Sequence, residues 1–202
     1  MKRTSCLAIG ALSMLAMAVQ AAPAGWELAK EEDGIKVYLQ AVPGSKYKAY
    51  RGEVTMRTDV ATLRKLQDDV GSACAWIHEC KEQKLLERKA DQAITYTRFN
   101  TPWPVTPRDS VVRITERALV GAGVRRDLEG LPQYLPEEEG FVRVSQVEGF
   151  WEMTPQPDGQ VEVIYQVHTE PGGSVPSWLA NKFVVEAPFN TLRGLRERAE
   201  QR

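Results

Sequence analysis

Between Gly34 and Val167 the chain is a succession of short alternating segments, and a single long helical stripe follows only after Gly172-Gly173-Ser174-Val175-Pro176. This layout limits the possible folds severely. Period-two alternation makes strands buried on one face, and one late amphipathic helix has a sheet face to cover. The spacing predicts strands over residues 34–39 and 47–56, joined as a hairpin by Pro43-Gly44. Further strands are expected over 81–88, 92–99, 109–118 and 123–128, with Ala90-Asp91 as a tight turn. A longer strand is expected over 141–153. There the apolar phase shifts near Gly149 to adjacent Phe150 and Trp151, which suggests a bulge. Val161, Val163, Tyr165 and Val167 then alternate cleanly.

Helices are few. Residues 26–30 read as a short helix or lead-in. Thr58-Asp59 caps a predicted helix over 60–69, with Val60, Leu63, Leu66 and Val70 on one face and Gly71-Ser72 ending it. The last helix runs from Ser177 to about Glu200. Its stripe is Leu179, Phe183 and Ala187, then Leu192, Leu195 and Ala199, and Pro188 is expected to kink it or split it in two. Many antiparallel strands, one early helix and one long last helix make an α+β fold, a large curved antiparallel sheet closing on a terminal helix; such a sheet can leave a cavity under the helix, which would be the removable wall.

The first 21 residues read as a secretory signal peptide. Lys2 and Arg3 precede the apolar run 7–19, and Val19-Gln20-Ala21 suits cleavage after Ala21. An uncleaved anchor is the rival reading, but the run is short of the ~20 apolar residues that span a bilayer. The domain expected is then residues 22–202, which is 181 of the 202 residues. It holds 24 basic and 27 acidic residues, a formal charge of −3. That length suits one domain with one core. Near-neutral charge without a basic run argues against nucleic acid as a partner and against strong electrostatic docking on anionic membranes. The signal peptide and short secreted chain point to the periplasm.

Two cysteines remain, Cys74 and Cys80. In an exported chain a pair six residues apart is expected to form a disulfide. The alternative is a metal site from Cys74, His78 and Cys80. It would need a fourth ligand, and the one other histidine, His168, is remote in sequence. Neither metal nor cofactor is expected. His168 sits on the strand face opposite Val163, Tyr165 and Val167 and is expected to be exposed; His78 is expected to be a surface or local structural residue. No nucleophile elbow, dinucleotide-binding or phosphate-loop glycine pattern is present.

One stretch resists a generic reading: Thr101-Pro-Trp-Pro-Val-Thr-Pro-Arg-Asp-Ser-Val111. Three prolines make a stiff corner between two strands. It resembles the proline-tryptophan-proline, arginine-aspartate stretch of START domains, the lipid-transfer domains related to the steroidogenic acute regulatory protein. Gly34-Ile-Lys-Val-Tyr followed by Tyr47-Lys-Ala-Tyr-Arg-Gly-Glu resembles their first hairpin. Phe141-Val-Arg-Val with Gly149-Phe-Trp and Pro155 resembles a mid-domain strand. Gly172-Gly-Ser-Val-Pro-Ser-Trp-Leu-Ala-Asn-Lys, with Pro188 and Leu192-Arg-Gly-Leu-Arg, resembles their C-terminal helix. The likeness extends from about Trp26 to Arg198.

The resemblance implies the START/Bet v 1-like helix-grip fold with a lipid cavity between sheet and helix. Trp103, Arg108, Val112, Ile114, Trp151, Val163, Tyr165, Leu179, Phe183 and Ala187 are the ligand-binding candidates, although the apolar ones would look the same in a solid core. Arg108 and Asp109 are expected to satisfy each other and nearby backbone, or else Arg108 faces a phosphate or carboxylate. Cholesterol-binding relatives carry an arginine where Ile114 stands here, with Arg113 pointing the other way. A phospholipid or fatty acid is therefore favoured over a sterol. The expected protein is a monomeric, non-enzymatic carrier that touches membranes transiently, gated by the last helix and secondarily by the loop 131–140. The alternatives are a helix-grip enzyme acting on a small hydrophobic substrate, or a binding-only sensor or chaperone.

Overall fold

The computed structural model describes residues 22–101 and 104–201; the expected signal peptide and Trp103 lie outside them. Ten strands form one antiparallel sheet apart from a short parallel pairing. The strands are β1 (Glu27–Glu32), β2 (Ile35–Gln40), β3 (Ala49–Met56), β4 (Cys80–Arg88), β5 (Gln92–Phe99), β6 (Arg108–Ala118), β7 (Val124–Gly130), β8 (Val142–Arg143), β9 (Gln146–Gln156) and β10 (Gln160–Glu170). Their order is β1-β2-β3-β10-β9-β7-β6-β5-β4, with β8 paired parallel to β6. Helix α1 (Val60–Asp68) follows β3, and α2 (Ser177–Ala199) ends the chain and packs on β2, β3 and α1.

Most predicted elements are present, and the departures have local causes. Residues 26–30 begin strand β1, which pairs with β2 from Glu27 to Glu32; its burial is too slight for an apolar pattern to announce it. The predicted strand 141–153 breaks at Val144-Ser145, where Val144 and Ser145 bond backbone carbonyls of Asp109 and Glu170. No bulge occurs at Gly149. The ladder to β10 runs without a shift from Gln146 to Gln156, so Trp151 faces inward and Phe150 outward, under the Arg125 guanidinium at 3.5 Å. Gly149 is needed for close approach: a Cβ there would lie 2.1 Å from the Gln166 carbonyl oxygen. Pro188 does not divide α2, which is one 23-residue helix. Asp59 caps α1 by accepting from the Thr62 backbone N–H at 2.8 Å, which holds its carboxyl below the usual range.

The interior divides along α2. Its C-terminal half is solid core: Phe189, Leu192 and Leu195 are buried against Ile35, Val54, Met56, Leu63, Met153, Val161 and Val163. Leu192 lies so close to β3 that a Cβ on Gly52 would sit 2.5 Å from its Cδ1. The N-terminal half is less filled. Leu179 and Ala180 join Tyr47, Val105 and Val175, with Phe183 beside them, in a small separate cluster. Between the two regions the sheet and helix enclose a space.

A third cluster lies on the other side of the sheet. Ile94, Tyr96 and Val111 are covered by Leu131 and Leu135 from the loop 131–140. Asp109, fully buried, receives a bidentate pair from Arg143, with Nε to Oδ1 and Nη2 to Oδ2 both at 2.9 Å. Arg143 also donates to the carbonyls of Pro132, Leu135 and Pro136 and so ties the loop down. The Tyr96 hydroxyl lies 3.0 Å from Asp109 and 2.7 Å from Glu138, and burial pushes it up to about 12. The expected Arg108–Asp109 partnership is thus replaced by Arg143–Asp109. Neighbouring strand residues point to opposite faces, and Asp109 is on the outer one.

Candidate ligand cavity

The enclosed space is a cavity of about 340 Å³, within the range of small-molecule sites. Strands β4 to β6 form one side of it. Along β6 the inward residues are Arg108, Ser110, Val112 and Ile114; along β5 they are Thr95, Thr97 and Phe99. Gln83 of β4 donates to the Thr97 hydroxyl at 2.9 Å. Leu128, Val147, Trp151, Tyr165, Val167 and Thr169 complete the sheet wall from β7, β9 and β10. The roof is the N-terminal half of α2, through Ala180, Phe183, Val184 and Ala187, with Thr191 at its lower limit.

Aromatic residues shape the inner end. The Trp151 and Tyr165 rings are stacked at 3.8 Å, and Tyr50 meets Tyr165 edge-on at 5.3 Å. Burial raises both tyrosine hydroxyls, that of Tyr50 well above its ordinary value, so both stay neutral donors. Trp76 adds an edge contact to Trp151 at 6.2 Å. Trp76, Ile77, His78 and Glu79 line the cavity from a loop closed by the Cys74–Cys80 disulfide, whose Cα atoms are 4.8 Å apart. That loop docks on α2: the His78 backbone N–H donates to Thr191 Oγ1 at 3.1 Å, and Gly194 leaves room for the Trp76 backbone. The cysteines form the expected bridge, and no group of three potential metal ligands occurs among the described residues.

Of the sequence candidates, Arg108, Val112, Ile114, Trp151, Tyr165, Phe183 and Ala187 line the cavity. Val163 does not: it is fully buried in the solid core beside Val54 and Met153, one alternation before Tyr165 reaches the open space. Leu179 does not either; it seals the end against Tyr47 and Val105. Trp103 is outside the described residues. The loop 131–140 is no lid, because it lies on the outer face. His168 is only 12% exposed in its side chain, lies 3.3 Å from Glu170, and is far from the exposed site expected. His78, expected to be a surface or local structural residue, has that structural contact to Thr191 and also contributes to the cavity wall. Arg113 pairs with Glu129 outside, at 2.7 Å. Sequence reasoning missed Tyr50, the hydroxyl row Thr95, Thr97 and Ser110, and the Trp76–Glu79 wall; the inward alternation of β5 was the signal available for the hydroxyls.

Charge inside is unevenly compensated. Arg126 is held by Glu116, at 2.6 Å, and Asp68, at 3.1 Å. Among the described residues, Arg108 has only the carbonyls of Thr106 and, at 3.2 Å, Gly172. Its Nε is buried without a partner among those residues, and burial pulls its pKa down. Gly172 adopts φ 68°, and a Cβ would strike the Arg143 carbonyl at 2.5 Å, so glycine is required where the chain turns into α2.

Comparison with known proteins agrees with this architecture. The family model described as "START domain" matches residues 8–202. The Pseudomonas aeruginosa protein PA1579 is 52% identical over 192 residues, 95% of each chain. The STAR-related lipid transfer protein from Xanthomonas axonopodis is 39% identical in a crystal structure that superposes with a TM-score of 0.82, covering 88% of this chain and 99% of that one. The mouse phosphatidylcholine transfer protein is 29% identical over 168 residues, 78% of this chain and 76% of its own.

Proposed function

This chain belongs to the START domain family, and from that membership we propose that it binds a lipid in the cavity under α2 and carries it through the periplasm. The observation that carries this reading is a cavity walled by apolar and hydroxyl side chains and roofed by half a helix. An acyl chain gains about 0.8 kcal/mol for each CH₂ taken from water, so a largely apolar space of this kind can hold one lipid in solution. The names of the Xanthomonas and mouse relatives support the same activity. Ile114 in the cavity wall, where cholesterol-binding relatives carry arginine, favours a phospholipid or fatty acid over a sterol. Residues 1–21 supply the export signal, and the carrier works as a monomer in transient contact with membranes.

Gating follows from the division of α2. Its C-terminal half is anchored in solid core, so the N-terminal half can swing on Gly172-Gly173 at one end and bend at Pro188 at the other without unfolding the domain. Native mass spectrometry and lipid extraction of protein purified from the periplasm test the proposal. A co-purifying phospholipid or fatty acid, released to acceptor vesicles, is the expected result. An empty protein that takes up neither from vesicles would refute it, and tight retention released only by a partner protein would favour a sensor or chaperone.

A further inference from the structure

We propose that Arg108 is an anchor for the anionic end of the lipid, a phosphate or carboxylate, and that the acyl chain runs from it along β6 toward Ile114. This rests on the carrier reading and adds a ligand class and an orientation to it. A guanidinium has five N–H donors. Arg108 gives two to main-chain carbonyls, leaves Nε buried and unbonded, and has no carboxylate within ion-pair distance among the described residues. It is 6% exposed. A buried cation without a counter-charge is costly, and Arg126, the other buried arginine of the cavity wall, shows the usual remedy in its two carboxylates. The charge missing at Arg108 is the one that a ligand would bring.

The order of side chains on β6 gives the direction. The inward residues pass from Arg108 to the Ser110 hydroxyl, then to Val112 and Ile114. At ~3.3 Å per residue, Ile114 is roughly 20 Å along the strand from Arg108. The next inward residue, Glu116, is already bonded to Arg64 and Arg126. One end of the row therefore carries a free charge, the middle is apolar, and the far end is neutralised. A single-chain amphiphile with one anionic end matches that sequence of environments. Arg108 also donates to the Gly172 carbonyl at 3.2 Å, so the anchor lies at the base of the movable half of α2.

The test compares three probes of one chain length on the purified protein: oleate, oleoyl lysophosphatidic acid and oleyl alcohol. The wild type is expected to bind at least one of the two anionic probes at least tenfold more tightly than the alcohol. Arg108→Met should bring all three within about threefold of one another, and Arg108→Lys should keep part of the preference. Which anionic probe wins assigns the carboxylate or the phosphate. Equal binding of the alcohol and both anions by the wild type overturns the anchor and leaves the carrier intact. Failure to bind any of the three overturns the anchor, and the carrier falls with it only if the protein also takes up no phospholipid from vesicles. Millimolar inorganic phosphate should not displace oleate; if it does, the site takes free anions and the lipid anchor is wrong. Should Arg108→Met not fold, the wild-type ranking and Arg108→Lys decide the matter.

Discussion

Truncating α2 at two places separates its structural half from its covering half. Leu192 is fully buried between β3 and the core below it. Leu192→Ala removes about three methylene equivalents, or ~2.4 kcal/mol by transfer alone. The backbone of β3 cannot close the gap, because Gly52 offers no side chain to move into it. With a cavity term added, the loss should reach about 3–4 kcal/mol. At 2–4 °C for each kcal/mol in a domain of this size, the melting temperature should fall by roughly 6–16 °C. Phe183 instead borders the cavity and packs on the small upper cluster. Phe183→Ala should cost less than about 1.5 kcal/mol, well below the 3–5 usual for a core phenylalanine. Urea unfolding followed by tryptophan fluorescence, checked by calorimetry, measures both. Equal losses, or a Leu192→Ala loss below 1 kcal/mol, would refute the division of the helix and the gate built on it.

Four further outcomes are expected. Asp109→Asn leaves Arg143 without its counter-charge and should destabilise the fold by about 3–5 kcal/mol, with early proteolysis in the loop 131–140 and little change in lipid exchange rate; slower or faster exchange at unchanged stability would make that loop a lid after all. Gly149→Ala forces a Cβ to within 2.1 Å of the Gln166 carbonyl and should lower the melting temperature far more than Gly71→Ala, whose Cβ would meet only the Asp69 carboxylate at an ordinary 3.7 Å. Replacing both Cys74 and Cys80 by serine frees a short loop and should cost about 2 kcal/mol in unfolding free energy, while accelerating lipid exchange through the loosened Trp76–Glu79 wall in a vesicle-transfer assay. Hydrogen bonds from Arg98 and Tyr96 hold the Glu138 carboxyl below its usual value. Its stabilising effect is therefore present above its unfolded value, near pH 4.3, and lost as pH falls through the folded one; Glu138→Gln should flatten the acid limb of a stability-against-pH curve.

Most of the strands and both helices were legible because one face of each is at least partly buried, and period-two or 3.6-residue patterns record that directly. Strand β1 was not, since it lies at the sheet edge with mostly exposed side chains and carries no buried apolar face to mark it. The break at Val144-Ser145 was equally hidden, because the backbone bonds that fix it run to Asp109 and Glu170, far along the chain. Within the site, alternation separated Ile114 from Arg113 correctly but could not tell cavity from core. Val163 and Tyr165 share one face of one strand, and only the part of α2 above each decides that the first is packed solid and the second borders open space. Arg108 and Asp109 show the same limit. Their adjacency suggested a pair, while the partner of Asp109 lies 34 positions away in Arg143.

The two halves of α2 also do different physical work. Residues below Pro188 set the stability of the domain, and those above it, with the inward row of β6, set the shape of the space. Ala180, Ala187, Val112 and Ile114 border that space, so exchanging them alters volume where little packing is lost. A lineage of such proteins can drift from one cargo to another by a few changes there while its folding free energy stays within the tolerated margin.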